Sequence, residues 1–198
     1  MQPLLSQAHQ GVTERCDSYA LSLADWSAVS CGKPKSKTDK KPRTHKYDVG
    51  YELQTRWWLS DRNGEPLAPI VQNWVTKDGV WSSYHDERIG LEAPVDELTR
   101  RMAWIEAQEF SKPVVHLIDR EAASIAHQRQ WDEAGHWLVR RDQAGSRVEF
   151  NKREVKLGEV ADSLIYQATH EVLLQGKPAQ QYVAEAEITV TRRAKPQK

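Results

Sequence analysis

Apolar and polar positions change period along this chain. Residues 18–30, SYALSLADWSAVS, alternate roughly and predict an extended strand into which Asp25 intrudes near the end. Residues 46–61, KYDVGYELQTRWWLSD, are rich in Tyr, Val, Thr and Trp and predict a second strand. Residues 67–83 predict a third, with a turn at Asp78-Gly79. Between the second and third, DRNGEP at 61–66 predicts a turn in which Asn63-Gly64 supplies the positive φ angles of a hairpin. These three strands read as an antiparallel meander.

From residue 94 the period becomes helical. Val95, Leu98, Met102 and Ile105 recur at three- and four-residue steps, predicting an amphipathic helix over 94–110 opened by Pro94. PVVHLID at 113–119 is a short, continuously apolar run, the pattern of a strand buried on both faces. Residues 122–134 read as a helix stopped by Gly135, and 136–142 as a further strand. Three strands, helix, strand, helix, strand predicts an α/β sheet with three antiparallel strands followed by parallel crossover strands. Beyond residue 142 the segments are short and alternating, which predicts a small β-rich module from about 143. The domain reading is therefore a lead-in over 1–17, an α/β core over 18–142 and a β-rich module over 143–198.

Composition narrows the picture only locally. Lys+Arg and Asp+Glu are both 28, so whole-chain charge points to neither nucleic acid nor membrane. Residues 33–46, KPKSKTDKKPRTHK, hold seven Lys and Arg against one Asp, with two Pro, and predict a basic loop. Its cations, Lys33, Lys35, Lys37, Lys40, Lys41 and Arg43 among them, are candidates for contact with a phosphate backbone; the alternative is a solvated loop. No apolar run approaches the ~20 residues of a membrane span, and MQPLLSQAHQ lacks the plan of a signal peptide. A cytoplasmic protein with no membrane partner is expected. Cys16 and Cys31 have no CxxC or Cys/His companions and read as reduced thiols.

Two carboxylates stand out. Asp25 and Asp119 each lie near the end of a predicted strand with apolar flanks. A right-handed crossover would set the first strand beside the one at 113–119 and bring those ends together. Adjacent carboxylates repel unless a cation sits between them, and hard oxygen ligands suit Mg²⁺ or Mn²⁺. The alternative is that both are turn or cap residues, with Asp119 capping the helix near 122. Arg120 can hold a phosphate or pair with Glu121. His45, His85 and His116 have no metal-ligand spacing, and His116 reads as a core or strand-face residue. Trp57, Trp58, Trp74 and Trp81 lie on predicted strands and read as core.

LADWSAVS, THKYDVGYELQTRWWLSDRNGEPLAP, DGVWSS and VHLIDREAAS, in this order, resemble the DDE transposases of bacterial insertion sequences. More narrowly, they resemble the cut-and-paste group whose ribonuclease-H-like domain carries a β-rich insertion. The resemblance spans nearly all of residues 18–193 and rests most on Asp-Trp-Ser at 25–27 and Asp-Arg-Glu at 119–121. It implies that Asp25 and Asp119 are the first two catalytic, metal-binding carboxylates, and that the residues from about 143 belong to the insertion. It implies two Mg²⁺ or Mn²⁺ ions in the complete enzyme, with transposon ends and target DNA as partners. Water would attack first and the freed 3′-hydroxyl next. A homodimer with full-length transposase is a further implied partner.

The family's third carboxylate is a Glu in a Tyr-x-x-Arg-x-x-x-Glu-x-x-x-x-x-x-Lys pattern on a helix beyond the insertion. No such pattern occurs here, and Tyr182 with Glu185 lacks the Arg and the Lys. Only 24 residues precede Asp25, where the family carries a helical DNA-binding region. The expectation is an internal piece of a transposase, inactive alone. The alternatives are a fragment that inhibits by binding DNA or transposase, and the product of a decayed gene.

Overall fold

The computed structural model describes residues 2–31, 36–42, 48–90, 94–119, 124–140, 142 and 144–191. The chain divides into two compact units, Met1–Arg141 and Asp142–Lys198.

The first unit contains α1 (Gln2–Arg15), β1 (Ala20–Ser30), β2 (Lys41–Pro42), β3 (Val49–Ser60), β4 (Pro66–Thr76), β5 (Gly79–Ser82) and β6 (His85–Ile89). It continues with α2 (Pro94–Glu106), β7 (Val114–Ile118), α3 (Ile125–Glu133) and β8 (Trp137–Arg140). Its strands form one mixed sheet in the order β6-β5-β4-β3-β1-β7-β8, with β2 paired to the start of β3. Pairing is antiparallel from β6 across to β1 and parallel from β1 through β7 to β8. The α/β class and the mixed sheet follow the expected order.

Several details depart from the pattern reading. The run at 67–83 is two strands, β4 and β5, folded at Lys77-Asp78. Thr76 secures that turn: its Oγ1 donates to the Gly79 carbonyl and accepts from the Asp78 N–H. With β6 added at the edge, the antiparallel part is longer than three strands. In the turn at 61–65 only Gly64 takes a positive φ, +73°. Asn63 contributes its side chain instead, accepting the Glu65 N–H at 2.9 Å. The basic stretch is not all loop, since Lys41-Pro42 pairs with Val49-Gly50. The lead-in is a 14-residue helix, α1, which the reading of residues 1–17 did not anticipate.

The helices pack on one face of the sheet. Alternation along β1 and β7 puts Ala20, Ser22, Ala24, Val114, His116 and Ile118 on that face, all buried. Ala8 and Val12 of α1 meet Ala20, Trp58 and Ile70 in one cluster. Leu98 and Met102 of α2 meet Ala24, Ile118 and Trp131 of α3 in another. The inward positions of α2 are those its period predicted: Leu98, Met102 and Ile105 are fully buried. The helix ends at Glu106 rather than 110, because Glu109 takes a left-handed φ of 51°.

A polar cluster is enclosed on the same face. Arg101 of α2 donates to Glu97 at 2.6 Å, and Asn73 of β4 donates to the same carboxylate. The Gln54 side chain of β3 accepts from Asn73 and Arg101, and Arg56 donates to the Ser22 carbonyl at 3.0 Å. Burial, then the Arg101 charge, pushes the Arg56 guanidinium well below its ordinary pKa.

The opposite face, carrying the odd-numbered residues of β1, β7 and β8, is less covered. Leu21, Leu23, Val115 and Leu117 are half-buried, so β7 is not buried on both faces as its composition predicted. Trp137 and Val139 of β8 are 52% and 56% exposed, and the Trp137 ring lies 5.4 Å from that of Tyr19.

In the second unit, β9 (Arg147–Phe150), β10 (Arg153–Lys156) and β13 (Thr189–Val190) form a three-stranded sheet. The α4 helix (Leu157–Ser163) follows β10, and β11 (Gln167–Leu174) pairs with β12 (Lys177–Val183). Both hairpins turn on two residues at positive φ, Asn151-Lys152 and Gln175-Gly176, the geometry that matches strand twist.

Candidate functional site

The Asp-Trp-Ser stretch of β1 is read out by strand alternation. Trp26 turns to the helical face and packs against the cluster of Leu98, Met102 and Trp131. Asp25 and Ser27 turn to the other face, and the Ser27 hydroxyl donates to Asp25 Oδ2 at 2.7 Å. Asp25 is exposed and opposes Thr55 of β3.

Asp119 is brought to the same level by the parallel pairing of β1 with β7. Leu23 pairs with Leu117, the last rung of that ladder. Asp25 and Asp119 each follow two residues later, but only Asp119 lies past a strand end: Asp25 is the sixth of the eleven residues of β1, which runs on to Ser30 paired with β3, so it does not lie near the end of its strand as its sequence suggested. Asp119 is not the cap of the next helix: α3 starts at Ile125 with Ser124 in the N-cap position.

The basic segment is described in part. Lys33, Lys35 and Arg43 lie outside the described residues, as do His45 and Arg120. Lys41 pairs with Glu52 at 3.2 Å, and Lys40 donates to the Cys31 carbonyl. Lys37 is exposed, with its Nζ 5.3 Å from the centre of the Tyr51 ring. The Tyr51 hydroxyl donates to Asp39 at 2.6 Å, and that bond, with burial, raises the phenol to about 12. Of the Trp residues read as core, Trp58 is fully buried and Trp81 is 53% exposed.

A second cluster lies on the helical face, around His116. Its Nε2 is 3.1 Å from Glu106 Oε1 at the end of α2, and His136 Nδ1 is 3.5 Å from the same oxygen. The three ligand atoms lie within 4.8 Å of one another, so the group can hold a metal ion. Burial pushes the His116 imidazole down to about 4, the Glu106 bond opposing it, so it is neutral at pH 7. The hydrogen bond from His116 in turn holds the Glu106 carboxyl below its usual range. The pattern reading placed His116 on a strand face but did not pair it. Glu106, His116 and His136 share no short motif; three different elements bring them together.

No helix among the described residues is long and apolar enough to cross a membrane. Comparison with protein-family models and with curated proteins finds no match for the chain.

Proposed function

We propose that this chain is part of the catalytic domain of a DDE transposase: a ribonuclease-H-like sheet followed by a β-rich insertion. In this reading Asp25 and Asp119 hold Mg²⁺ or Mn²⁺ for cleavage and joining of DNA. The observation that supports it is the β1–β7 register: continued two residues beyond the Leu23–Leu117 rung, it would bring Asp25, midway along β1, level with Asp119, just past the end of β7. Such ions activate an attacking oxygen and stabilise the leaving one. The protein's own part is to hold both carboxylates on a stiff sheet, with Ser27 fixing one oxygen of Asp25.

In this reading the third carboxylate would sit on a helix beyond the β-rich insertion. The half-covered odd-numbered face beside Asp25 and Asp119 suits such a helix. The basic segment from Lys33 to Arg43 would track the DNA backbone, and full-length transposase is the proposed protein partner. A second reading, a DNA-binding inhibitory fragment, is favoured by the basic stretch at 33–46, with seven Lys and Arg against one Asp. It requires tight, salt-sensitive DNA binding without cleavage, weakened by neutralising Lys33, Lys35, Lys37, Lys40 and Lys41.

The test of the carboxylate pair is iron-directed cleavage. Fe²⁺ with ascorbate, substituted for Mg²⁺, should cut the backbone near residues 25 and 119 and be outcompeted by Mn²⁺. Asp25→Asn and Asp119→Asn should each abolish both cuts; cuts that survive either substitution reject the site. The transposase assignment has its own test in the DNA flanking the reading frame. A Tyr-x-x-Arg-x-x-x-Glu pattern downstream, with inverted repeats outside, supports it, and unrelated sequence on both sides overturns it.

A further inference from the structure

We propose that Glu106, His116 and His136 form a binding site for a transition-metal dication of the Zn²⁺ class, separate from the aspartate pair. The inference does not depend on the transposase reading. It rests on donor type, spacing and placement.

Two imidazoles and one carboxylate are the donor set that suits Zn²⁺, Co²⁺ or Ni²⁺ and not Mg²⁺. A tetrahedral ion with bonds of about 2.0–2.1 Å has ligand–ligand edges of about 3.3–3.4 Å. The two edges that meet at Glu106 Oε1 are 3.1 and 3.5 Å, so they bracket that value. The third edge, between the imidazoles, lies within 4.8 Å, and the rings stand edge to face at 86°. Swinging the partly exposed His136 closes it, while His116 is fixed in the core.

The backbone around the cluster is firm. His116 is the middle residue of β7, paired with Ser22 of β1 and Leu138 of β8. His136 follows a helix stop in which Gly135 takes φ +76° and the His136 N–H returns to the Trp131 carbonyl at 2.9 Å. A metal here would tie the end of α2, the centre of β7 and the entry to β8. Three protein ligands leave a coordination position for water. His116 projects to the helical face and Asp119 to the other, so the sheet separates the two sites. The buried Nδ1 of His116 has no partner among the described residues, and lacking that support the site should bind more weakly than a fully buttressed one.

The competing account is a metal-free hydrogen-bonded triad. Titrating the EDTA-treated full chain with Co²⁺ separates the two. The expected result is one equivalent bound, with visible d–d absorption of a low-coordinate ion. Zn²⁺ should displace it, Mg²⁺ should not, and the Asp25→Asn/Asp119→Asn chain should behave like wild type. His136→Ala and Glu106→Gln should each lower Co²⁺ affinity by more than roughly 100-fold, the upper end for changes that only touch a ligand's support. His136→Cys should restore binding and add a thiolate-to-Co²⁺ charge-transfer band, which a misfolded chain would not show. Absence of a stoichiometric Co²⁺ complex overturns the proposal. So does affinity unchanged in His136→Ala and Glu106→Gln, or a His136→Cys complex with no thiolate band.

Discussion

A single carboxylate can organise a chain entry, and Asp61 does so here. Its Oδ1 accepts the Asp17 N–H at 2.8 Å, and its Oδ2 accepts those of Ser18 and Tyr19 at 2.8 and 2.9 Å. These bonds set the connector from α1 into β1, the strand that carries Asp25. Burial alone would raise this carboxyl, but the backbone donors together hold it below the usual range. Asp61→Asn keeps one acceptor and turns an amide toward the donors, so it should cost about 1–3 kcal/mol at pH 7. The pH sign follows from the depressed native pKa. The unfolded chain takes up the proton first, near pH 3.9. The contribution is therefore present above that value and is lost as pH falls through the native pKa. Urea unfolding of both chains at pH 7 and at pH 3 should show the gap narrowing at the lower pH; a gap equal at both assigns the effect to shape rather than charge. Residue-scale logic of this kind is partly legible in sequence. Asp-Trp-Ser announces an exposed, half-buried, exposed alternation, whereas nothing near Asp61 names its three donors.

Elements were legible where their period was strong and obscure where a tertiary contact decides. The α2 helix shows its inward face in Val95, Leu98, Met102 and Ile105, and the order of β1, β3, β4, α2, β7, α3 and β8 follows from alternation and turn residues. The α1 helix was missed although Leu5, Ala8 and Val12 carry a helical period, because a lone Ala in that stripe is a weak signal that packing against Trp58 makes decisive. The metal-capable trio was missed for a related reason: no local spacing marks residues that meet only when α2, β7 and β8 assemble. Polar docking of α2 is likewise invisible in sequence, since Glu97 and Arg101 look like an ordinary surface pair at i,i+4. Both are buried, and Asn73 bonds Glu97 and Gln54 bonds Arg101 from the sheet, while Arg101 Nε and Nη1 have no partner among the described residues. Glu97→Gln leaves the buried Arg101 and Arg56 charges without that carboxylate. It should cost about 3–5 kcal/mol, the range for breaking a buried ion pair from one side. Thermal and urea unfolding measure it, and a loss below about 1 kcal/mol, typical of an exposed pair, would show that water reaches the cluster.

At the scale of the whole molecule, charge and surface pull together toward association. The formal net charge is zero, so no long-range repulsion keeps copies apart. The odd-numbered face of the large sheet presents half-buried Leu21, Leu23, Val115 and Leu117, running out to Trp137 and Val139 on the edge strand β8. An apolar face that runs out to an edge strand unpaired among the described residues is the kind of surface that favours association. The isolated 198-residue chain should therefore show a sedimentation coefficient that rises with concentration. Trp137→Glu with Val139→Glu should remove most of that rise while leaving the melting temperature nearly unchanged, because both side chains are more than half exposed already. High salt should leave association in place, since apolar contact is not screened as ion pairs are. A chain that stays monomeric up to its solubility limit would show the face to be too divided by Asp25 and Asp119 to act as one patch. Association abolished by salt would instead assign it to the basic segment, and the double substitution would then leave it unchanged.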